Sequence, residues 1–285
     1  MLRLETIEQV RQEVARARRS GRVVGLVPTM GALHEGHGRL IDQARAETGF
    51  VSVSIFVNPL QFGPSEDYSR YPRDLDTDLA FCDARGVDAV FCPSVGELYP
   101  DEQKTFVDVP DLTRELCGRF RPGHFRGVTT VVLKLLNIVQ PDRAYFGEKD
   151  AQQLQAVTRM VRDLNVPTVI VPVPTVREPD GLAISSRNRY LTPGQRKTAP
   201  ALYKALQAGE AALCAGERDA AKVLRAADQV LAAHPDFRKE YVEVVDAELM
   251  TPVASVTGPV RIMAAAWLDK TRLIDNIYWR GEAKI

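Results

Sequence analysis

Val23-Val24-Gly25-Leu26-Val27-Pro28-Thr29-Met30-Gly31-Ala32-Leu33-His34-Glu35-Gly36-His37 is the stretch from which the rest of the chain is read. It opens as an apolar run rich in β-branched residues, which predicts a buried strand ended by Pro28. Gly31 and Gly36 permit a tight turn, and beyond it Leu40, Ile41 and Ala44 recur at helical spacing. A strand running directly into a helix presents free backbone N–H groups and the positive end of the helix dipole, which suits an anion such as phosphate. His34 and His37, on the first helical turn, would share one face and reach that anion. The segment reads as a phosphate site with its own proton-handling groups. A metal pair is the competing reading, but no third ligand cluster follows and H-E-x-x-H is absent. Histidines that only satisfy core hydrogen bonds are the plainer alternative.

Outward from this stretch, strands and helices alternate. Thr6 can cap a helix whose Ile7, Val10, Val14 and Ala17 share a face, ending near Ser20-Gly21. Phe50 to Val57 predicts a strand with serines at its even positions, followed by a polar loop from Gln61 to Ser69. A helix is expected over 72–85, a strand over 87–92, and a short helix over 112–117. Gly118 to Gly127 is basic and glycine-punctuated, a loop suited to covering something negative. Val128 to Val139 is apolar nearly all round and predicts a buried helix. A short strand over 144–146, a helix with the stripe Leu154, Val157, Met160, Val161 and Leu164, and a strand over 166–173 follow. This rhythm predicts an α/β fold with a Rossmann-like, doubly wound, mostly parallel sheet. Ligands in such sheets sit at the carboxyl ends of the strands, where His34, Asn58 and Lys149 all fall.

The texture changes near Arg177-Glu178-Pro179-Asp180-Gly181, a turn-rich stretch that reads as a linker. Domains are therefore expected over 1–176 and 177–285. The second carries helices over 193–215 and 218–233, then strands over 241–245, 260–266 and 272–278, which makes a smaller C-terminal α+β domain with an antiparallel sheet.

Composition limits the function classes. The chain has 285 residues, 45% of them hydrophobic, and its 37 basic and 37 acidic residues cancel. Zero net charge gives the chain as a whole no attraction for nucleic acid. No apolar stretch approaches the length of a membrane span, and the N-terminus lacks a signal-peptide core. Cys82, Cys92, Cys117 and Cys214 show no C-x-x-C spacing, so a reduced, cytoplasmic setting is expected.

Two further loops carry chemistry. Lys149, just past Gly147 at a strand end, can neutralise phosphate oxygens, and Asp150 can accept hydrogen bonds from ribose hydroxyls; a salt-bridged loop is the alternative. Ile184-Ser185-Ser186-Arg187-Asn188 places two hydroxyls and a guanidinium in a row, either a polyphosphate clamp or a turn-capping serine run. Neither G-x-x-x-x-G-K-[ST] nor, after the first strand, G-x-G-x-x-G occurs, which argues against a P-loop kinase and a nicotinamide dehydrogenase. Attack on an α-phosphate, with fixed donors meeting the developing charge, is the chemistry this set favours.

Four segments together, P-T-M-G-A-L-H-E-G-H from Pro28, F-V-N-P-L-Q-F from Phe56, F-G-E-K-D-x-Q-Q from Phe146 and D-G-L-A-I-S-S-R-N from Asp180, resemble the pantothenate synthetases (pantoate–β-alanine ligases) over nearly the whole chain. These belong to the nucleotidyltransferase group that includes class I aminoacyl-tRNA synthetases. The resemblance implies a two-step ligation: pantoate attacks the α-phosphorus of ATP to give pantoyl adenylate and pyrophosphate, and β-alanine then displaces AMP to give pantothenate. A nucleotidyltransferase that stops at a nucleotide-linked product is the alternative.

Carried over by residue, the resemblance implies that Met30, Gly31, Ala32, Leu33, His34, Glu35, Gly36 and His37 line the ATP phosphates, with His37 as proton donor. Gly147, Glu148, Lys149 and Asp150 would hold ribose and phosphate, Val176 the adenine, and Ile184, Ser185, Ser186 and Arg187 would act as the synthetases' signature loop. Gln61 and Gln153 would contact pantoate, with Gln61 also near the β-alanine position. Asn58, Arg121 and His124 carry over less directly. The resemblance further implies Mg²⁺ on the phosphate oxygens and a homodimer. Ile184 stands where methionine or leucine is frequent, and Gly38 where leucine is common, which predicts a looser helix start.

Overall fold

A computed structural model of the chain describes residues 1–64 and 66–281; Ser65, within the loop expected over 61–69, and the last four residues of the domain expected over 177–285 lie outside the described residues. Internal contacts divide the chain into two units. The first comprises Met1–Pro110, Phe120–Glu148 and Ala156–Pro174; the second comprises Asp111–Arg119, Lys149–Gln155 and the chain from Thr175 onward.

The first unit is built on six strands, β1 (Leu2–Leu4), β2 (Val24–Thr29), β3 (Phe50–Ile55), β4 (Ala89–Phe91), β5 (Arg143–Gly147) and β6 (Val169–Val173), in the order β1-β4-β3-β2-β5-β6. Every pairing is parallel. The order reverses direction at β2 and β5, so the crevice beyond their carboxyl ends is the topological switch point where such sheets bind ligands. Helix α1 (Ile7–Arg19) packs toward one face, and α2 (Glu35–Glu47) lies across β2, β3, β5 and β6. Helix α3 (Leu75–Asp83) adds Cys82 to the core that α2 builds from Leu40, Ile41 and Ala44 against Val27, Val51, Val53 and Val90. Helix α4 (His124–Val139) contacts α1 and β2. Helix cover is why Ser52 and Ser54 of β3 are buried like Val51 and Val53.

Several boundaries differ from the sequence expectation. The strand through Pro28 continues to Thr29. Thr29 O accepts from Phe56 N, so Pro28 faces the β5 side, where the ladder has already ended at Leu26↔Ala144 and no donor is missed. Strand β1 was not expected, because three residues carry no readable period. Helix α3 starts at Leu75 rather than near Pro72, since the Asp74 carboxylate caps Thr77 N at 3.2 Å. The helix expected over 112–117 is instead two single turns, Pro110–Thr113 and Cys117–Phe120, separated by Leu116 at φ 56°. The basic segment ends early because α4 already begins at His124, after Gly123 at φ 80°. Helix α5 (Ala151–Asp163) buries Leu154, Val157, Met160 and Val161, but Leu164 follows its last residue and is exposed.

In the second unit, Pro200 interrupts the helix expected over 193–215. A capped turn, Pro193–Thr198, precedes α6 (Ala201–Cys214), because a proline there supplies no N–H. Asp219 caps α7 (Ala220–Ala232) through Ala221 N at 2.9 Å. Strands β7 (Phe237–Asp246), β8 (Val260–Leu268) and β9 (Thr271–Trp279) form an antiparallel sheet in that order. Leu202, Leu206, Leu213, Val223, Ile262 and Ile277 make its core. The turn-rich stretch 177–181 closes a hairpin: Ile184 N donates to Val176 O, Arg177 pairs with Ala183, and Gly181 turns at φ 94°.

Candidate active site

The histidine loop leaves β2 and turns through two left-handed residues, Gly31 (φ 81°) and Ala32 (φ 51°). The sequence suggested free N–H groups here, but the structure engages three of them. Thr29 Oγ1 accepts from Gly31 N at 3.2 Å, while Asp78 accepts from Ala32 N at 2.9 Å and from Leu33 N at 2.7 Å. Asp78, on α3, is 3% exposed. No sequence signal marks it, because a carboxylate on a helix normally points to solvent. Its two oxygens match the two N–H groups, so Asp78→Asn loses one acceptor. That substitution is expected to cost about 1–3 kcal/mol, read as a thermal midpoint lower by several degrees.

The first turn of α2 then aims its remaining N–H groups along the helix axis, with no side-chain cap from His34. The His34 and His37 rings stack with centroids 4.1 Å apart and planes 29° from parallel. Gly36 permits this, since a Cβ there would stand 2.9 Å from Cε1 and Nδ1 of His34. Gly38 does not leave a void. Arg85 fills the place, its Nε 2.6 Å from where a Cβ would be, while its guanidinium bonds Glu35 at 2.8 and 2.9 Å and lies over the Phe81 ring. The cost of a helical glycine is thus offset by an arginine clamp on the first turn.

Gln61 is set on a pedestal of protein bonds. Tyr99 donates its hydroxyl to Asn58 Oδ1 at 2.9 Å, and burial pushes the Tyr99 pKa far above the ordinary tyrosine value, so it remains a donor. Asn58 Oδ1 therefore faces Tyr99, and Asn58 Nδ2 donates to Gln61 Oε1 and to Gly127 O, both at 3.1 Å. With its oxygen held, Gln61 keeps Nε2 as the donating end, 3.0 Å from Met30 Sδ of the histidine loop. Asn58 is 1% exposed, with both ends of its amide committed to protein.

The backbone of Gln61 is fixed as well. Arg121 can only donate, so His124 Nε2 accepts from it at 2.9 Å, and His124 Nδ1–H donates to Gln61 O at 2.8 Å. Arg121 also grips Glu66 with bonds of 2.5 and 2.7 Å. Burial would raise the Glu66 carboxyl, but these bonds and the Arg121 charge outweigh it and hold the group below its usual range. Within the basic segment, Arg121 thus takes the chain's own Glu66 as its negative partner. Gly127 lies against this turn, where a Cβ would meet Leu60 O at 2.3 Å and Gln61 Cα at 2.7 Å. Gly127→Ala must move the Gln61 backbone. Thermal unfolding of that variant should show a midpoint lower by several degrees, about 1–3 kcal/mol of stability lost to the shift.

In the second unit, Lys149 is half-buried in the turn Glu148–Asp150, and its carbonyl accepts from Asn276 Nδ2 at 3.0 Å. Asp150 is exposed. The two adjacent glutamines divide their roles. Gln152, buried, accepts from Cys117 N and donates to Leu112 O and Glu115 O, fastening 111–119 to α5, while Gln153 is half-buried. Ser185 caps the turn Ser186–Tyr190 through Arg187 N at 3.3 Å, and Ser186 is buried. The hairpin sets Val176 beside Ile184. Glu66, Asp78, Arg85, Tyr99 and Gly127 were not singled out as site residues from sequence, since each acts on a neighbour across a gap in the chain.

Comparison with known proteins identifies the family of the chain. The model of the family described as Pantoate-beta-alanine ligase matches residues 3–278. Pantothenate synthetase of Moorella thermoacetica is 56% identical over 274 residues, covering 96% of this chain and 97% of that protein. The enzyme of Thermotoga neapolitana is 53% identical over 273 residues, covering 96% and 98%. The crystal structure of pantothenate synthetase from Thermus thermophilus matches with a TM-score of 0.93 at 50% identity, over 97% of this chain and 99% of that one. Pantoate-beta-alanine ligase from Francisella tularensis, complexed with beta-gamma ATP and beta-alanine, matches with a TM-score of 0.80 at 34% identity, over 98% and 97%. The chain belongs to the pantoate-β-alanine ligase family.

Proposed function

We propose that the chain condenses (R)-pantoate with β-alanine at the expense of ATP, releasing AMP and pyrophosphate through a pantoyl-adenylate intermediate. The observation that carries this reading beyond family membership is the contact of Gln61 Nε2 with Met30. An amide donor beside the loop that precedes α2 supports bringing an acid close to a bound phosphate.

In the first step a pantoate carboxylate oxygen forms a bond to the α-phosphorus and the bond to pyrophosphate breaks. Met30 to His37 and the N-terminus of α2 receive the phosphates, and His37 donates a hydrogen bond or proton to the group gaining charge. His34 holds the His37 ring by stacking. Gln61 and Gln153 orient pantoate. Asn58, Arg121 and His124 serve it through Gln61, because their polar atoms are bonded to one another and to that residue. Lys149 and Arg187 offset phosphate charge, Ser185 and Ser186 add hydroxyl donors, and Gly147, Glu148 and Asp150 take the ribose side. Val176 and Ile184 give an apolar seat for adenine. In the second step the β-alanine amine forms a C–N bond to the pantoyl carbonyl as the C–O bond to AMP breaks.

The family resemblance implies Mg²⁺ with the ATP substrate, where it would offset phosphate charge beside Lys149 and Arg187. A homodimer is proposed on the family resemblance and a cytoplasmic setting on cysteines without C-x-x-C spacing; light scattering of the purified chain tests the first. No helix among the described residues is long and apolar enough to cross a membrane. The deciding assay supplies ATP with pantoate, β-alanine or both. AMP and pantothenate formed only with both acids support the ligase, whereas a stable nucleotide-linked product that β-alanine does not consume supports the transferase alternative.

A further inference from the structure

We infer that Asn276, oriented by Arg261, is a positioning residue for Lys149, so that the small antiparallel sheet sets where the ammonium stands. This rests on the reading above in which Lys149 serves the ATP phosphates.

The face of the sheet that meets α6 and α7 carries Ile262, Ala264 and Ala266 of β8 with Leu273, Ile277 and Trp279 of β9. By strand alternation, Arg261 and Asn276 belong to the opposite face, yet they are only 4% and 5% exposed. The register pairs Arg261 with Tyr278 and Met263 with Asn276, so arginine and asparagine are diagonal neighbours. Burying an amide and a guanidinium is costly unless their hydrogen bonds are made, so this pair needs a reason beyond packing.

The bonds supply it. Arg261 Nη1 donates to Asn276 Oδ1 at 2.7 Å, and an arginine can only donate. The amide orientation is therefore fixed by chemistry: Oδ1 toward Arg261, Nδ2 toward the Lys149 carbonyl, which it reaches at 3.0 Å. Asn276 is itself pinned. Its N–H donates to Asp275 Oδ1 at 2.8 Å, and Asp275 takes a bidentate grip from Arg177 at 2.6 and 2.9 Å. Arg177 in turn lies 3.6 Å over the Tyr203 ring. The Lys149 carbonyl is thus tied through side chains to a rigid two-strand ladder, rather than left to a three-residue turn.

The test separates positioning from mere support of the fold. Asn276→Asp keeps an oxygen for Arg261 and adds a charge to that pair, but it turns an acceptor toward the Lys149 carbonyl. A purely structural role predicts parental activity. The positioning role predicts pantoate-dependent ATP–pyrophosphate exchange lowered about tenfold, a raised KM for ATP, an unchanged KM for pantoate, and an unfolding midpoint within a few degrees of the parent. Asn276→Asp exchanging at the parental rate overturns the inference.

Asn276→Ala gives a second reading by calorimetry of ATP binding. It should weaken binding in the parent and add little in a Lys149→Ala background, because the two residues act as one unit. Equal weakening in both backgrounds overturns positioning. Lys149→Ala exchanging normally instead sinks the underlying reading of Lys149, a different outcome from either.

Discussion

His37→Ala is expected to lower pantoate-dependent ATP–pyrophosphate exchange by roughly 10²–10⁴-fold, while the thermal midpoint changes little. The loss should be large because, in the proposed mechanism, the imidazole meets charge that develops only as the phosphorus–oxygen bond to pyrophosphate breaks. An interaction present only in the transition state acts on kcat rather than on binding. Its effect on fold should be small, because the ring lies half-exposed on the first turn of α2, stacked on the His34 ring. His34→Ala should fall by orders of magnitude too, since His37 loses the surface that sets its plane. Exchange at the parental rate in His37→Ala would refute the proton-donor role.

Lys149→Ala is the second large effect, a fall of about 10²–10³-fold in the same exchange. The ammonium is the one cation in the strand-end segment Gly147 to Asp150, and phosphoryl chemistry depends on positive charge placed before the reaction begins. Lys149→Arg should recover only part of the rate. A guanidinium keeps the charge but spreads it over a planar fork that cannot occupy the point position of an ammonium. The outcome that sinks this assignment is a Lys149→Ala protein that exchanges normally with an unchanged KM for ATP.

Elements with a long period were legible from the residues. Helix α1 shows Val10, Val14 and Ala17 on one face with Thr6 before them, and its capping box is where the sequence indicates. The run from Val24 into Glu35 was readable as strand, turn and helix because two periodicities meet at two glycines. Short or interrupted pieces were not. Three residues of β1 carry no pattern, and Leu116 at a positive φ breaks a segment whose composition suits a helix.

The site shows the same division. His34, His37, Lys149 and the serines are chemical groups set beside glycines and strand ends, so they announce themselves in one dimension. Their supports do not. Asp78 lies 45 and 46 residues from the N–H groups it takes up, Tyr99 lies 41 from Asn58, and Asn276 lies 127 from Lys149. None has a spacing that links it to its partner.

The order of residues alone therefore settled the alternation of strand and helix and the strand-end loops, and it singled out the groups proposed to act on phosphate. Those depend on local periodicity and side-chain chemistry. Folding in three dimensions decided which N–H groups are already taken, which end of each amide points outward, and that a glycine at 38 is filled by Arg85. These follow from hydrogen bonds and close packing between distant segments, which exist only once the backbone has brought the partners within about 3 Å of each other.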